Sequence, residues 1–392
     1  MIKDKTISIV DYSCHPFSLD LAYNLSKINN LKVYYFFSKE VCLTGNYYKL
    51  FKSKNLIIKA VSVGNFPKYN FLIRRSKELE FGKKIITYLK QYKIDKAILA
   101  NVPIDPLYKI IKYSKNNKIE TYFWIQDIYH LAIKNVLKKN SLIFFVIGFL
   151  ISKYYKYLET FCFINSTKNI VITNKFLKFF PKINKNFVIE NWAPLAIKKS
   201  LKLSNKKFLK INKKKFTFLY SGTFSYKHHS YLYLELAKKM KDCNIIILSK
   251  DKFAKELKII AQNQKIENIY FYETVSYEQL NYFFNFTDVG LVNLNEESNN
   301  VCVPSKVLTY YKNSIPVLAS IPMNNLASIN IKKFNTGLVS NPNDNISFFK
   351  NALKLKNNYK LRKKFSDNCL NFSINNFNIN EISKRFKKII NL

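Results

Sequence analysis

The chain has very little arginine and few acidic residues for its size. Of its 392 residues, 65 are lysine or arginine, with only four arginines, and 25 are acidic, so the formal net charge is +40. This excess indicates an anionic partner, either a membrane surface or a nucleic acid, or simply the biased codon usage of an AT-rich genome. Whatever its origin, the charge attracts anionic lipid, at ~1 kcal/mol for each Lys or Arg close to the surface.

Patterns for metal binding and for secretion are also missing. The six cysteines are scattered, with no C-x-x-C spacing and no His/Cys cluster suited to zinc. We interpret them as buried thiols in a reducing compartment. Residues 1–10 predict a charged start and a short strand rather than a signal peptide.

One apolar run, Leu142–Ile151, is too short to span a bilayer, which needs ~20 residues. Lysines at 138 and 139 precede it, and lysines and tyrosines follow it over 153–157. Two interpretations stay open. The run is either a buried helix of the first domain or a helix in the membrane interface, with its flanking lysines and tyrosines at headgroup level.

What the sequence does contain is a regular alternation of strand and helix patterns. In the first half, strands are predicted over 6–11, 31–37, 95–100, 120–125 and 169–173, and helices over 17–27, 74–91, 105–116 (capped by Asp105) and 142–159. In the second half, strands are predicted over 216–220, 244–249, 268–271, 288–292, 315–319 and 336–339, and helices over 230–240, 252–262, 277–284, 305–311 and 381–390. Such alternation is typical of α/β domains with parallel sheets and helices on both faces.

The length suits two domains rather than one. We expect an N-terminal Rossmann-like domain over 1–195, a lysine-rich linker over 196–215 and a C-terminal Rossmann-like domain over 216–375. A last helix within 376–392 is expected to pack back toward the N-terminal domain. The predicted architecture is two doubly wound domains facing across a cleft, with ligands at the carboxyl ends of the strands.

Three short motifs carry chemistry. Tyr220-Ser221-Gly222-Thr223 is a strand followed by a glycine turn that lets the backbone approach a pyrophosphate, with Lys227-His228-His229 at the next helix. Pro304-Ser305-Lys306 predicts a helix start, capped by Ser305, where backbone N–H groups and an ammonium bind an anion. Trp124-Ile125-Gln126-Asp127 brings a carboxylate to the end of a strand. Read singly, these motifs are also typical of a plain turn and of helix caps.

Read together, they resemble glycosyltransferase family 4, the retaining enzymes of the GT-B fold, and in particular its bacterial capsule and O-antigen members. The motifs that carry this resemblance occur in family order over nearly the whole chain: His15-Pro16-Phe17, Trp124-Ile125-Gln126-Asp127, Asn191-Trp192, Tyr220-Ser221-Gly222-Thr223 and Pro304-Ser305-Lys306. The resemblance implies transfer of a sugar, with retained anomeric configuration, from a nucleotide-sugar, expected to be a UDP-sugar.

On the donor side, the resemblance implies that Gly222 and Thr223 approach the diphosphate. Lys227, Ser305 and Lys306 would neutralise it, so that fixed ammonium groups stabilise the charge that develops on the leaving group. No metal and no other cofactor is expected, since the chain has no Asp-x-Asp motif. The nucleotide-sugar is a substrate.

On the acceptor side, the resemblance implies a catalytic role for Asp127, which would orient the acceptor hydroxyl or accept its proton. His15 would contact the acceptor or the donor phosphate from the loop after the first strand. Arg74, Trp124 and His130 are expected beside the acceptor.

The chain departs from the family pattern at two places. Cys14 replaces the glycine that usually precedes His-Pro. The Glu-x7-Glu pair is absent, because its positions hold Val301 and Thr309. Thr309 can still donate to or accept from a ribose hydroxyl, and Glu297 is the candidate substitute for the first glutamate.

The expected partners are a nucleotide-sugar, a lipid-linked oligosaccharide and an anionic membrane surface. The expected location is the cytoplasm, peripheral on the inner face of the bacterial cytoplasmic membrane. Two alternatives remain open. One is a degenerate GT-B subunit that binds nucleotide-sugar without turnover. The other is a basic nucleic-acid-binding protein, which the sequence disfavours because its lysines are spread over both halves and no known module is present.

Overall fold

A computed structural model of the chain describes residues 5–67, 70–137, 142–194, 211–225, 228–273, 277–299 and 302–392. The chain divides into two compact units. Unit 1 contains Met1–Pro194 and Asn378–Leu392, and unit 2 contains Leu195–Phe377. Most of the predicted linker, 196–210, lies outside the described residues, so the linker stays a prediction.

Unit 1 is built on a parallel sheet of seven described strands in the order β3-β2-β1-β4-β5-β6-β7. The strands are β1 (Lys5–Asp11), β2 (Leu31–Ser38), β3 (Leu56–Val61), β4 (Lys96–Ala100), β5 (Glu120–Ile125), β6 (Lys168–Val171) and β7 (Asn186–Val188). Its helices are α1 (Pro16–Leu25), α2 (Phe71–Gln91), α3 (Ile104–Asn116), α4 (Tyr129–Leu137), α5 (Leu142–Asn165) and, from the C-terminus, α13 (Ile379–Ile390).

Unit 2 repeats the plan with six described parallel strands in the order β10-β9-β8-β11-β12-β13. The strands are β8 (Thr217–Ser221), β9 (Asn244–Leu248), β10 (Ile269–Tyr272), β11 (Val289–Asn293), β12 (Val317–Ser320) and β13 (Gly337–Ser340). The helices are α6 (Leu232–Lys239), α7 (Lys252–Asn263), α8 (Tyr277–Phe284), α9 (Lys306–Lys312), α10 (Leu326–Lys333), α11 (Asn345–Asn357) and α12 (Tyr359–Asn376).

The predicted fold class is confirmed, because each unit is a parallel, doubly wound sheet whose strand order reverses beside its first strand. Buried side chains occupy both faces of the central strands: β9 is buried at every position. This explains the nearly continuous apolar runs from which the strands were predicted.

Three of the elements that the sequence did not predict carry weak patterns. β3 is an edge strand that is only half-buried over most of its length, and β7 has three residues. α12 buries only a narrow stripe, Phe365, Cys369 and Phe372, in a helix otherwise rich in Asn and Lys. Partial burial leaves little hydrophobic periodicity to detect.

One predicted helix cap is wrong. α3 has Pro103 at its N-cap position, and Asp105 lies in its first turn. There Asp105 accepts two hydrogen bonds from Arg75, at 2.8 and 3.0 Å, and a third from the Tyr155 hydroxyl at 2.6 Å. Asp105 is therefore part of its helix rather than a cap. Ser305 does lie at the N-cap position of α9, but it has helical backbone angles and makes no side-chain capping bond.

The apolar run at 142–151 is the start of α5, and of the two alternatives a buried helix does not fit the side chains from 146 to 150. Val146, Ile147, Phe149 and Leu150 are 50%, 43%, 42% and 60% exposed. Within the part of the chain that the structure describes, no helix combines the length and hydropathy needed to cross a bilayer.

Candidate active site

The strand order of unit 1 reverses between β2 and β4, on either side of β1. The β1–β4 ladder runs as far as Asp11 and Ala100, and Asn101 and the loop carrying His15 follow directly. Loops that leave a parallel sheet on opposite sides open a crevice at such a reversal, and this is where α/β proteins bind ligands.

His15 is held at this point by Asp11. The carboxylate of Asp11 is fully buried and lies 2.9 Å from His15 Nδ1, while it also accepts from the His15 backbone N–H at 2.9 Å and from Ser18 Oγ at 2.5 Å. Asn101 Nδ2 lies 3.1 Å from the same ring nitrogen. Because Nδ1 is engaged, Nε2 is the ring nitrogen that can meet a ligand.

The charge of Asp11 sets the protonation of this pair. Burial lowers the pKa of His15, but the Asp11 carboxylate and its hydrogen bond outweigh burial, so the pKa is raised above its ordinary value. Burial likewise opposes ionisation of Asp11, yet His15 and Ser18 hold the pKa of Asp11 below its usual range. The pair is therefore an oriented imidazole with enhanced basicity, suited to binding a phosphate or to accepting a proton.

Cys14 occupies the position where the family pattern that the sequence resembles has glycine. It adopts a left-handed backbone with φ of +56°, and its N–H donates to the Asp11 carbonyl at 3.1 Å. The tight turn that glycine would make is thus formed here by cysteine, and it is this turn that brings His15 back over Asp11.

Asp127 and Arg74 lie at the same edge of the sheet. Asp127 is half-buried two residues beyond β5, and its negative charge contributes to raising the pKa of both His15 and Tyr129. Arg74 is 48% exposed and donates to Glu78 at 2.8 Å, and its charge also acts on Tyr129. The structure therefore brings His15, Asp127 and Arg74 into one electrostatic neighbourhood.

Two residues expected beside the acceptor lie in the interior instead. Trp124 is 0% exposed and packs between Trp192, with ring centroids 5.7 Å apart, and Phe386 of α13 at 4.9 Å. His130 is buried, with Nδ1 2.6 Å from Glu159. Both side chains therefore lie in the interior of unit 1 rather than on its surface.

The strand order of unit 2 reverses around β8. β8 and β11 pair only at Phe218–Val289 and Leu219–Gly290, and then separate. The hydroxyl of the buried Tyr310 fills the opening: it donates to the Leu219 carbonyl at 2.9 Å and accepts from the Ser221 N–H at 3.1 Å. A side chain at Gly290 would collide with the Tyr310 ring, since its Cβ would lie 2.5 Å away.

Lys306 points into this opening. Its Nζ is buried, lies 3.5 Å from the centroid of the Tyr220 ring, and has no hydrogen-bond partner among the described residues. Burial lowers the pKa of Lys306 well below its usual range, and the charge of Asp251 offsets this only in part. A buried, unpaired ammonium is costly unless a ligand completes it, so its position indicates an anion site.

Gly222 borders the ammonium. Its φ of +140° is accessible to glycine and rare for other residues, and a Cβ there would lie 3.4 Å from both Cε and Nζ of Lys306. The next loop is fixed by Asp251, which accepts from the Phe224 N–H at 2.7 Å and caps α7 through Ala254. The structure therefore brings Gly222 and Lys306 together, although they lie 84 positions apart in the chain.

The other donor-side residues are placed less tightly. Thr223 and Ser305 are exposed, Thr309 is half-buried one turn after Lys306, and Glu297 is exposed on a 3-10 turn that follows β11. Lys227 lies outside the described residues, so its role stays a prediction.

Sequence reasoning missed several polar residues at these two reversals, namely Asp11, Asn101, Asp251, Asn293 and Tyr310. Asn293 ends β11, is 1% exposed, and donates from Nδ2 to the His229 carbonyl at 2.9 Å, while its Oδ1 has no partner among the described residues. Three of the five, Asp11, Asn101 and Asn293, end a strand or directly follow one. This is the signal that could have found them.

The comparisons with known proteins give a family match within unit 2. Residues 202–371 match the family model described as glycosyl transferases group 1. The match covers the reversal of unit 2, with Gly222 and Lys306, and it confirms the expectation that the chain is a glycosyltransferase.

Solved structures share the fold over nearly the whole chain. Sucrose-phosphate synthase from Thermosynechococcus elongatus is 11% identical with a TM-score of 0.73, over 99% of this chain and 98% of that one. A glycosyltransferase from Rickettsia africae is 17% identical with a TM-score of 0.64, over 98% of each chain. UDP-GlcNAc 2-epimerase from Neisseria meningitidis, solved with UDP-GlcNAc, is 14% identical with a TM-score of 0.59, over 98% of this chain and 99% of that one. No curated protein sequence matches the chain.

Because epimerases share this fold, the fold alone does not select transfer over epimerisation. The match of residues 202–371 to the group 1 glycosyltransferase model favours transfer. Metal-ligating residues are a separate matter: within the described ranges, no three His, Cys, Asp or Glu side chains are grouped so that they could hold a metal ion.

Proposed function

We propose that the chain is a retaining glycosyltransferase that moves a hexosyl group from a nucleotide-sugar, a UDP-sugar, to a lipid-linked saccharide during synthesis of a cell-surface polysaccharide such as capsule or O-antigen. The observation that carries the proposal is the buried ammonium of Lys306 beside Gly222, without a protein partner among the described residues. A diphosphate is the ligand that best completes it, because the glycine lets the phosphate oxygens approach the backbone closely.

In this proposal, Lys306 stabilises the negative charge that develops on the nucleoside diphosphate as its bond to the sugar breaks. Lys227 and the Ser305 hydroxyl add to this stabilisation, and Thr223 contacts the diphosphate from the glycine turn. Thr309 and Glu297 form hydrogen bonds with the ribose and sugar hydroxyls that the family's glutamate pair would bind. A charge fixed before the reaction stabilises the leaving group without reorganisation, and this is also why we expect no metal.

The acceptor side is assigned to the reversal of unit 1. Asp127 would accept the proton of the acceptor hydroxyl or orient it, and His15, held by Asp11, would bind a phosphate of the acceptor or the donor. Arg74 adds a second cation to this edge. The two cations favour an anionic acceptor, which fits a saccharide linked to lipid through phosphate.

We place the protein in the cytoplasm, peripheral on the inner face of the bacterial cytoplasmic membrane. Nucleic acid is not expected as a partner. A subunit that binds nucleotide-sugar without turnover is the second candidate, and the specific observation that favours it is Thr309, which stands where the family pattern has a carboxylate.

The test is sugar transfer from a panel of labelled nucleotide-sugars to lipid-linked acceptors in bacterial membrane extract. Lys306→Met is compared with Lys364→Met, a matched change of an exposed lysine on α12. We expect Lys306→Met to lose turnover and the control to retain it. Binding of a nucleotide-sugar without any turnover by the unmodified chain would support the subunit instead. Full turnover by a folded Lys306→Met would refute the assignment of the donor site.

A further inference from the structure

α5 exposes a row of large apolar side chains along most of its length. Val146 and Leu150 lie one turn apart, and Leu150 is 60% exposed. Between residues 146 and 157, where burial is described, its exposed apolar and aromatic residues are Val146, Ile147, Phe149, Leu150, Tyr154 and Tyr157. A surface helix normally turns such residues inward, whereas α5 is apolar on its outer face as well as on the face that buries Leu158, Cys162 and Phe163.

The inner face of α5 explains why the helix cannot simply rotate. Ser152 donates to the His130 carbonyl at 2.9 Å. The carboxylate of Glu159, 1% exposed, accepts from the Tyr129 and His130 backbone N–H groups at 2.8 and 3.1 Å. Polar groups of α5 are thus buried and satisfied by the start of α4, which fixes the apolar face outward.

The exposed apolar surface continues onto the first turn of α2. Phe71, Leu72 and Ile73 are 49%, 75% and 42% exposed. One turn later, Arg75 donates to the Tyr154 hydroxyl of α5 at 3.4 Å, with its guanidinium carbon 5.9 Å from the ring centroid. We call the exposed faces of these two helices the α2–α5 surface.

The charges on this surface identify what covers it. Lys153 lies with its ammonium 4.6 Å from the centroid of the Phe149 ring, and Lys156 is exposed beside Tyr157. Lysines that lay their aliphatic chains along apolar groups, with tyrosines at the same level, are suited to the boundary between lipid tails and headgroups. No acidic residue is exposed between 142 and 157, so the rim suits an anionic partner.

We propose that the α2–α5 surface docks the protein on an anionic lipid bilayer, with the apolar side chains inserted below the headgroups and the lysines among them. Each of Leu72 and Leu150 then moves apolar area from water into the acyl boundary. The docking claim stands on the surface alone. That it delivers a lipid-linked acceptor rests on the proposed function.

The same helix connects the surface to the candidate acceptor site. Glu159 holds the backbone of Tyr129 and His130, and Asp127 lies two residues before Tyr129. If α5 binds the membrane, the loop that carries Asp127 is therefore attached, through Glu159, to the helix that contacts lipid.

The experiment measures vesicle binding by the full chain without donor. Vesicles of phosphatidylcholine alone are compared with vesicles of phosphatidylcholine and phosphatidylglycerol in equal parts. The double variant Leu72→Ser and Leu150→Ser is compared with Ile346→Ser and Ile374→Ser, exposed apolar residues of α11 and α12 that are 71% and 64% exposed. We expect the first pair to weaken binding to anionic vesicles by about 10- to 100-fold and the second to leave it unchanged.

A reporter locates the contact directly. Both native tryptophans are buried, at 0% and 2% exposure, so Leu150→Trp supplies the exposed one. Its emission should shift to the blue on anionic vesicles only. Equal vesicle binding by the Leu72/Leu150 variant and its parent would overturn the proposal. So would loss of a dimer, without lipid, in that variant, which would assign the surface to a second copy of the chain. Vesicle binding through this surface without sugar transfer would refute the proposed function and leave the docking surface standing.

Discussion

Replacing Lys306 with methionine should make the ligand-free protein more stable while weakening its affinity for a nucleotide-sugar. Methionine keeps the length of the side chain and fills the space against Tyr220 and Gly222. It removes the ammonium, which is buried and has no hydrogen-bond partner among the described residues. A residue retained at a cost to stability is expected to be retained for a ligand.

The size of the effect follows from two opposing contributions. Taking an ammonium out of water costs several kcal/mol in a real protein. Contact with the face of Tyr220 returns about 2 kcal/mol. We therefore expect Lys306→Met to raise the free energy of unfolding by roughly 1–3 kcal/mol at neutral pH. For a domain of this size that corresponds to a rise in melting temperature of roughly 2–12 °C.

The sign of the pH dependence gives an independent check. Because burial lowers the pKa of Lys306 in the folded state, the unfolded chain binds more protons between the two pKa values. The stability of the parent protein should therefore gain from this group as the pH rises from the folded-state pKa of Lys306 toward the ordinary lysine pKa of about 10.4. The difference between parent and Lys306→Met should shrink over the same range, since methionine does not titrate.

The assay is thermal unfolding in phosphate-free buffer, with and without UDP and a panel of nucleotide-sugars, for the parent, Lys306→Met and Lys364→Met. Loss of a charge-assisted contact should weaken ligand binding by about 10- to 100-fold and remove the thermal shift. Lys364→Met should change stability by less than ~0.5 kcal/mol. A less stable Lys306→Met that still shows the full nucleotide shift would refute the reasoning, because the ammonium would then be structural.

Three further predictions concern the two reversals. Asp11→Asn should lower the pKa of His15, since it removes the charge that outweighs burial; NMR titration of the ring protons measures this, and an unchanged pKa would contradict the pairing. In stability, the raised pKa of His15 predicts a contribution that is full below about pH 6.5 and is lost as the pH rises through the folded-state pKa, and Asp11→Asn should flatten that slope. Gly222→Ala should destabilise the empty protein by about 1–2 kcal/mol and weaken nucleotide binding, because φ of +140° is strained for alanine; wild-type affinity would count against a close approach of the diphosphate. Cys42 should react with iodoacetamide well below the pH of an ordinary thiol, because its hydrogen bond with Cys14 lowers its pKa to about 6, and Cys14→Ala should abolish this advantage.

Much of the fold was accessible from local patterns. β5 and α8 begin and end at the residues expected from the sequence, 120–125 and 277–284. Strands buried on both faces leave unmistakable apolar runs, and turns between them carry polar residues. The sequence did not predict β3 and α12, because β3 is only half-buried over most of its length and α12 buries only a narrow stripe. The chain there has little pattern to distinguish an element from a loop.

The candidate site was predictable only in part. Motif spacing pointed to Gly222, Lys306, His15 and Asp127. The same motif led us to expect Trp124 beside the acceptor. Its side chain is buried instead, because successive side chains of a strand point to opposite faces of the sheet and the sequence does not show which face meets a ligand. The role of Asp11 depends on a left-handed turn at Cys14, a conformation that the sequence gives no reason to expect from cysteine.

The sequence by itself determined the alternation of strands and helices, the parallel α/β class and the residue types of an anion site, because these depend on near neighbours in the chain. Tertiary structure decided which side chains are left without a partner. The Lys306 amine is buried without a hydrogen-bond partner among the described residues, at the point where β8 and β11 separate. α5 keeps part of its apolar surface outward, while Glu159 and Ser152 are satisfied inside. Both outcomes depend on contacts between residues far apart in the chain, where local periodicity carries no information.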